Sequence, residues 1–136
     1  MSAGAGDPPS DRGRDRVTVP ARVERWRQAW QGGDARAVAA LYASAGTHAS
    51  AVVAAQMKEI GRSHLVGPAE IEAYAARVFA AVSELAFEIQ AIVSGERRDV
   101  VAYLRRSSLD TAGPKPVVVI LDWEGDRLAS VRVYHF

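Results

Sequence analysis

Three histidines, His48, His64 and His135, carry the side-chain type whose ordinary pKa lies near neutral. An imidazole can shuttle a proton once a neighbour orients it. Their spacing contains no i, i+4 pair and no ligand motif, so no metal site is expected. The chain has no cysteine. Disulfides, thiolate metal sites and a cysteine nucleophile are therefore excluded. Asp122 offers a carboxylate one residue before a turn, but it alternates with Leu121 and Trp123 in the manner of an exposed strand end. His64 stands three residues before Gly67 and reads as a loop residue.

Composition limits what such groups can serve. The 136 residues suit one domain, and 49% of them are hydrophobic, enough for a sizeable core. The formal charge is +1, which gives no electrostatic reason to expect nucleic acid or an anionic membrane as partner. No apolar run is long enough to span a bilayer, and the N-terminus lacks the apolar stretch of a secretory signal. A cytoplasmic protein is expected. Arginine outnumbers lysine fifteen to two and alanine is abundant, a compositional association with GC-rich bacterial genomes.

The elements that must position these groups follow from periodicity. Residues 1–18 are rich in Gly, Pro, Ser, Asp and Arg without hydrophobic periodicity, so a disordered tail is expected there, with one domain over 19–136. A first helix is predicted from Pro20 to Gln31, with Val23, Trp26 and Trp30 on one face. Gly32 and Gly33 stop it, and Asp34 caps a second helix over Ala35 to Ala43. The stretch from Ser44 to Val66 fits either a short helix or a loose β-hairpin. Pro68 opens a further helix whose stripe of Ile71, Tyr74, Ala75, Val78, Phe79 and Val82 runs to about Ser83.

From Leu85 the period becomes two. Strands are predicted over 85–93, Val100 to Leu109, Val117 to Trp123 and Leu128 to Phe136, with a hairpin turn at Glu124 to Asp126. Helices followed by an antiparallel meander make the class α+β. Residues 100–104 and 117–121 are apolar at both parities, so both faces of the central sheet are apolar. The helices can cover one face. A second copy of the chain is the simplest cover for the other, which predicts a homodimer.

Several runs, in this order, resemble the SnoaL-like (nuclear-transport-factor-2-like) family. Trp26 to Asp34 (WRQAWQGGD) and Ala39 to Ala43 (AALYA) resemble its opening helix pair. Gly67 to Tyr74 (GPAEIEAY) resembles its glycine-led helix, and Trp123 to Leu128 (WEGDRL) with Arg132 to Tyr134 its closing hairpin. The resemblance covers residues 20–136. It implies a cone-shaped barrel in which a curved sheet wraps the N-terminal helices around an apolar pocket. The family includes ketosteroid isomerases, limonene-epoxide-type hydrolases, polyketide cyclases and proteins without catalysis, so the fold does not set the function.

Carried over by position, the isomerase tyrosine falls on Trp26, its base near Ser50 and its acid near Val119, and none of these can play the role. Epoxide hydrolase-like members use an Asp–Arg–Asp arrangement. Here Val133 stands where the last-strand carboxylate belongs, Arg105 or Arg106 for the arginine, and Ser107 or Ser108 for the second aspartate. The polar groups left near the implied pocket are His48, Tyr103, Arg105, Asp122 and His135. His135 shares parity with Val131 and Val133, which by the resemblance is the cavity face. Trp26, Trp30, Tyr42, Tyr74, Phe79, Phe87, Val119 and Val133 are the expected ligand-binding surface. Two functions follow as expectations. One is a cyclase, isomerase or hydrolase acting without cofactor on an apolar oxygenated molecule, such as a polyketide or terpenoid. In it His135 and His48 supply acid–base chemistry, and Arg105 or Tyr103 polarises a carbonyl. The other is a ligand-binding or dimerisation protein that kept the pocket and lost the carboxylates.

Overall fold

The computed structural model describes residues 17–136. The tail expected over 1–18 lies outside the described residues apart from its last two. Helix α1 (Ala21–Gln31) buries Val23, Trp26 and Trp30 on the face their spacing defines. The Asp34 carboxylate accepts from the backbone N–H of Arg36 (3.0 Å) and Ala37 (3.2 Å), capping α2 (Ala35–Ala39).

Helix α2 stops four residues short of the expected Ala43. Tyr42 instead starts strand β1 (Tyr42–Ala49), opposite Leu128, and the Leu41 carbonyl accepts from the Leu128 N–H at 2.7 Å. The partner strand supplies the backbone hydrogen bonds that a further helical turn would have made, so tertiary pairing overrides local propensity. Between Ser44 and Val66 both alternatives are present. Helix α3 (Ala51–Gln56), capped by the Ser50 hydroxyl, and a 3₁₀ turn (Lys58–Ile60) separate β1 from β2 (His64–Val66), which pair antiparallel. Helix α4 (Pro68–Ala81) then buries Ile71, Tyr74 and Ala75.

Strands β3 (Leu85–Ser94), β4 (Arg98–Ser107), β5 (Lys115–Glu124) and β6 (Arg127–His135) form the expected meander. The sheet has six strands in the order β2-β1-β6-β5-β4-β3, curved and unclosed. It departs from a pure antiparallel meander at one junction, where β1 runs parallel to β6. Gly46 permits the close approach there, since a Cβ on it would lie 2.7 Å from the Leu128 carbonyl oxygen.

Odd-numbered residues of β4 and β5 face the helices. Val101, Tyr103, Val117, Val119 and Leu121 are buried there with Val131 of β6. The opposite parity, Val100, Ala102, Leu104, Val118 and Ile120, is half-buried on the outer face, with Val93 and Tyr134 exposed beside it. A buried clasp ties α1 to the β3–β4 turn. Asp99, with no solvent exposure, accepts from Arg22 Nε (2.7 Å) and Trp123 Nε1 (2.8 Å). The rest of the Arg22 guanidinium donates to the carbonyls of Gly95 and Glu96.

Candidate functional site

A cavity of about 370 Å³ lies between the inner sheet face and helices α1 and α4. Its wall is built from the periodicities already described. Trp26 and Trp30 reach in from α1, Tyr74 and Val78 from α4, Phe87 from β3 and Val131 and Val133 from β6. The aromatic rings order one another: Trp26 lies 5.2 Å from Phe87 and 5.5 Å from Tyr103, and Phe87 lies 4.5 Å from Tyr103. Most of this surface is apolar, so each polar group on it has defined work.

The inner polar group is His48 on β1, 4% exposed, with its ring 5.5 Å from that of Tyr74 and 6.2 Å from that of Trp30. Its Nδ1 lies 2.8 Å from the buried Tyr42 hydroxyl. A buried phenol must donate its proton, and among the described residues Nδ1 is its one partner. Tyr42 therefore donates and Nδ1 accepts, which puts the imidazole proton on Nε2. Burial lowers the His48 pKa to about 4. His48 is thus a neutral N–H donor on the cavity wall at pH 7. That differs from its expected part as an acid–base group, because its basic nitrogen is already occupied and its cation is disfavoured. Burial, reinforced by the neighbouring Tyr74, raises the Tyr42 pKa, so Tyr42 also stays neutral.

The outer polar cluster is built on β4 and the end of β6. Arg105 lines the cavity, and its Nε and one terminal nitrogen grip Asp110 at 3.1 and 2.8 Å. The Ser107 hydroxyl donates to the same carboxylate at 2.8 Å. The Asp110 side chain is 4% exposed. The hydrogen bond from Arg105 is the main reason its pKa is lowered, and the same bond raises that of Arg105. His135 lines the cavity on the neighbouring side. Partial burial lowers its pKa, the Arg105 charge adds to this, and Asp110 opposes it. Both environments favour neutral imidazole at pH 7, but His135, unlike His48, has neither ring nitrogen engaged among the described residues. Tyr103, between the two clusters, has its pKa raised by burial and keeps its proton.

His48 pairs in register with Val131, and His135 lies four residues further along β6. At about 3.3 Å per residue, roughly 13 Å of strand separates the two levels. The histidines therefore serve different ends of one cavity and cannot share a reacting atom.

Of the residues singled out in the sequence, His48, Tyr103, Arg105 and His135 do line the cavity, with Trp26, Trp30, Tyr74, Phe87 and Val133. Four do not. Asp122 has outer-face parity and pairs with Arg98 and Arg132. Tyr42 lies behind His48, Phe79 packs on Trp30 at 5.6 Å, and Val119 is fully buried in the core. Asp110 lies beyond positions 107–108, where the resemblance implies the second carboxylate. The turn after β4 folds it back onto Arg105 from five residues away. Ser50 and Ser107, at positions where the resemblance implies carboxylates, also line the cavity, as does Arg77, which no sequence signal marks. Among the described residues no three His, Asp or Glu side chains converge on a point that could hold a metal ion. Among the described residues no helix is long and apolar enough to cross a membrane.

The family model of the SnoaL-like domain matches residues 23–131. The chain belongs to that family. No curated protein matches this SnoaL-like chain. Solved structures do. A protein with a ketosteroid isomerase-like fold from Catenulispora acidiphila, in complex with trimethylamine, is 22% identical (TM-score 0.70, covering 86% of each chain). A candidate polyketide cyclase from Sinorhizobium meliloti is 13% identical (TM-score 0.67, 85% of this chain and 94% of that one). An LEH-like epoxide hydrolase from M. tuberculosis is 16% identical (TM-score 0.66, 85% of this chain and 80% of that one). At such identities the likeness shows the fold.

Proposed function

We propose that this SnoaL-like chain is a small-molecule enzyme acting on an apolar, oxygenated substrate by acid–base chemistry at the open end of its cavity. The observation that carries the reading is the pairing of His135 with the Asp110-held Arg105 at one end of an apolar, aromatic-walled cavity. The neutral imidazole takes a proton from a carbon beside a carbonyl, or from a water. The electron pair of the broken C–H bond moves onto the carbonyl oxygen, and the Arg105 guanidinium stabilises the negative charge there. Asp110 fixes the guanidinium plane in advance, so little reorganisation is needed when the charge forms. His48 holds a second substrate oxygen at the inner end, where its Nε2–H is the available donor. A cyclase, an isomerase and an epoxide hydrolase all need such a base and such an electrophile. The polyketide cyclase and epoxide hydrolase descriptions of two structural relatives agree with that range.

The experiment is deuterium exchange at carbons beside a carbonyl, followed by NMR over a panel of apolar ketones and 1,3-diketones, with ring opening of apolar epoxides run in parallel. Wild type should accelerate one of these reactions and His135→Ala should not. Binding across the panel without turnover would instead support a non-catalytic ligand-binding protein. One observation favours that second reading: Trp26, Ser50, Val119 and Val133 stand where family enzymes carry their polar machinery.

We also propose that a second copy of the chain covers the outer sheet face. Val100, Ala102, Leu104, Val118 and Ile120 form one apolar surface there, and Tyr134 is 45% exposed beside it. Light scattering at micromolar concentration should return twice the 14.6 kDa chain mass. Ile120→Glu should shift the species toward a single chain. A wild-type mass of one chain would contradict the dimer.

A further inference from the structure

Positive charge gathers at the open end of the cavity beyond what the proposed chemistry uses. Arg105 on β4 stands opposite Lys115 on β5. Beyond them an outer pocket of about 350 Å³ is lined by Arg105, Lys115, His135, Val52 and Phe136. It shares Arg105, His135 and Val52 with the apolar cavity, so the two spaces adjoin at those side chains. Arg77 of α4 lines the cavity from the helix side. Three cations thus line the two spaces, with Arg105 and Lys115 together at the outer one, and Asp110 is held by Arg105. Among the described residues neither Arg77 nor Lys115 is in an ion pair.

A charge that appears during a reaction needs one electrophile, and Arg105 fills that role. Lys115 has no part in that step. A permanent negative charge on the ligand would give it one, since a cation beside a partly buried guanidinium raises the local potential for anions. The chain as a whole is nearly neutral, so this is a local feature and not the edge of a general basic surface.

We propose that the cavity takes an amphipathic organic acid, with its carboxylate on Lys115 and Arg105 in the outer pocket and its apolar body against Trp26, Phe87 and Val133. This rests on the reading of the cavity as a ligand site. It adds that the ligand is anionic and fixes which end enters last. His135 then faces the first carbons beyond the carboxylate, where a ketone carbonyl makes the neighbouring C–H acidic and takes its electron pair when the imidazole removes the proton.

The probe is 4-phenylbutyrate, ionised at pH 8, against its methyl ester, which matches it in shape without the charge. Binding is read from the fluorescence of the cavity tryptophans Trp26 and Trp30 at low ionic strength. The acid should bind about tenfold more tightly than the ester, and that preference should shrink several-fold at high salt. Lys115→Gln, an exposed change remote from the core, should weaken the acid about five- to tenfold and leave the ester within about twofold. Equal binding of acid and ester, or an acid affinity unchanged in Lys115→Gln, would overturn the inference and leave the apolar ligand site standing. Failure of both compounds to bind would overturn the reading of the cavity itself, and the inference with it.

Discussion

Replacing His135 by alanine should lower kcat/KM for a turned-over substrate by about 10²–10⁴-fold, the usual cost of losing a general base. The fold should be unaffected. The His135 side chain is exposed and, among the described residues, makes no hydrogen bond to another element. Its removal should therefore change stability by no more than about 0.5 kcal/mol. Valine at 133 cannot accept a proton, and His135 is the next group of the same parity, about 7 Å along the strand. Because partial burial and Arg105 lower its pKa, kcat/KM should stay level through neutral pH and fall only below the ordinary imidazole range. Activity of the alanine variant within a few-fold of wild type would remove His135 from the chemistry. Asp110→Asn should weaken turnover as well, by loosening Arg105, but with a smaller change in pH profile.

Arg22→Ala should destabilise the fold by about 2–3 kcal/mol, because it leaves the Asp99 charge buried with only the Trp123 N–H to answer it. The figure is set below the full cost of breaking a buried pair, since the Arg22 side chain is 25% exposed. A drop of several degrees in Tm would follow. Replacing both partners, Arg22→Met with Asp99→Leu, should recover part of the loss, which distinguishes a stranded charge from lost packing. The clasp also sets the acid limit of the fold. Burial pushes the Asp99 pKa up, but hydrogen bonds led by that from Arg22, with Trp123, outweigh it and hold the carboxyl below its usual range. Its contribution is present above the unfolded carboxylate pKa and is lost as pH falls through the folded one. His48 acts earlier in an acid titration. Its folded pKa of about 4 lies below the ordinary 6.5, so stability declines as pH falls from about 6.5 to about 4. Tm measured from pH 8 to 3 should show both stages, and a flat profile down to pH 4 would contradict the His48 assignment.

Much of this arrangement could be read from residue order because it rests on local periodicity. The faces of α1 and α4, the switch to period two at Leu85 and the turn at Glu124 to Asp126 each follow from neighbouring residues. Parity likewise groups Val133 with His135 on one face of the last strand, but it is the family resemblance that implies this face is the cavity side. What was hidden depends on distant partners. Tyr42 is helical by local pattern but pairs with Leu128, eighty-six positions away in sequence, and only that pairing brings its hydroxyl to His48. Asp110 sits in a turn whose path back to Arg105 has no periodic signature. Asp122 looked chemical by residue type, yet its parity sends it to the outer face beside Arg98 and Arg132. The tautomer of His48 needs the Tyr42 contact and so could not be read from residue types at all.

The division of labour between the two histidines is most directly tested by long-range ¹H–¹⁵N NMR of the imidazole rings between pH 8 and pH 4. His48 should carry its proton on Nε2 and stay neutral until the pH approaches about 4. Tyr42→Phe should remove the hydrogen bond that selects this tautomer. His48 titrating near 6.5 in the wild-type protein, or carrying its proton on Nδ1, would contradict a fixed neutral donor at the inner end of the cavity.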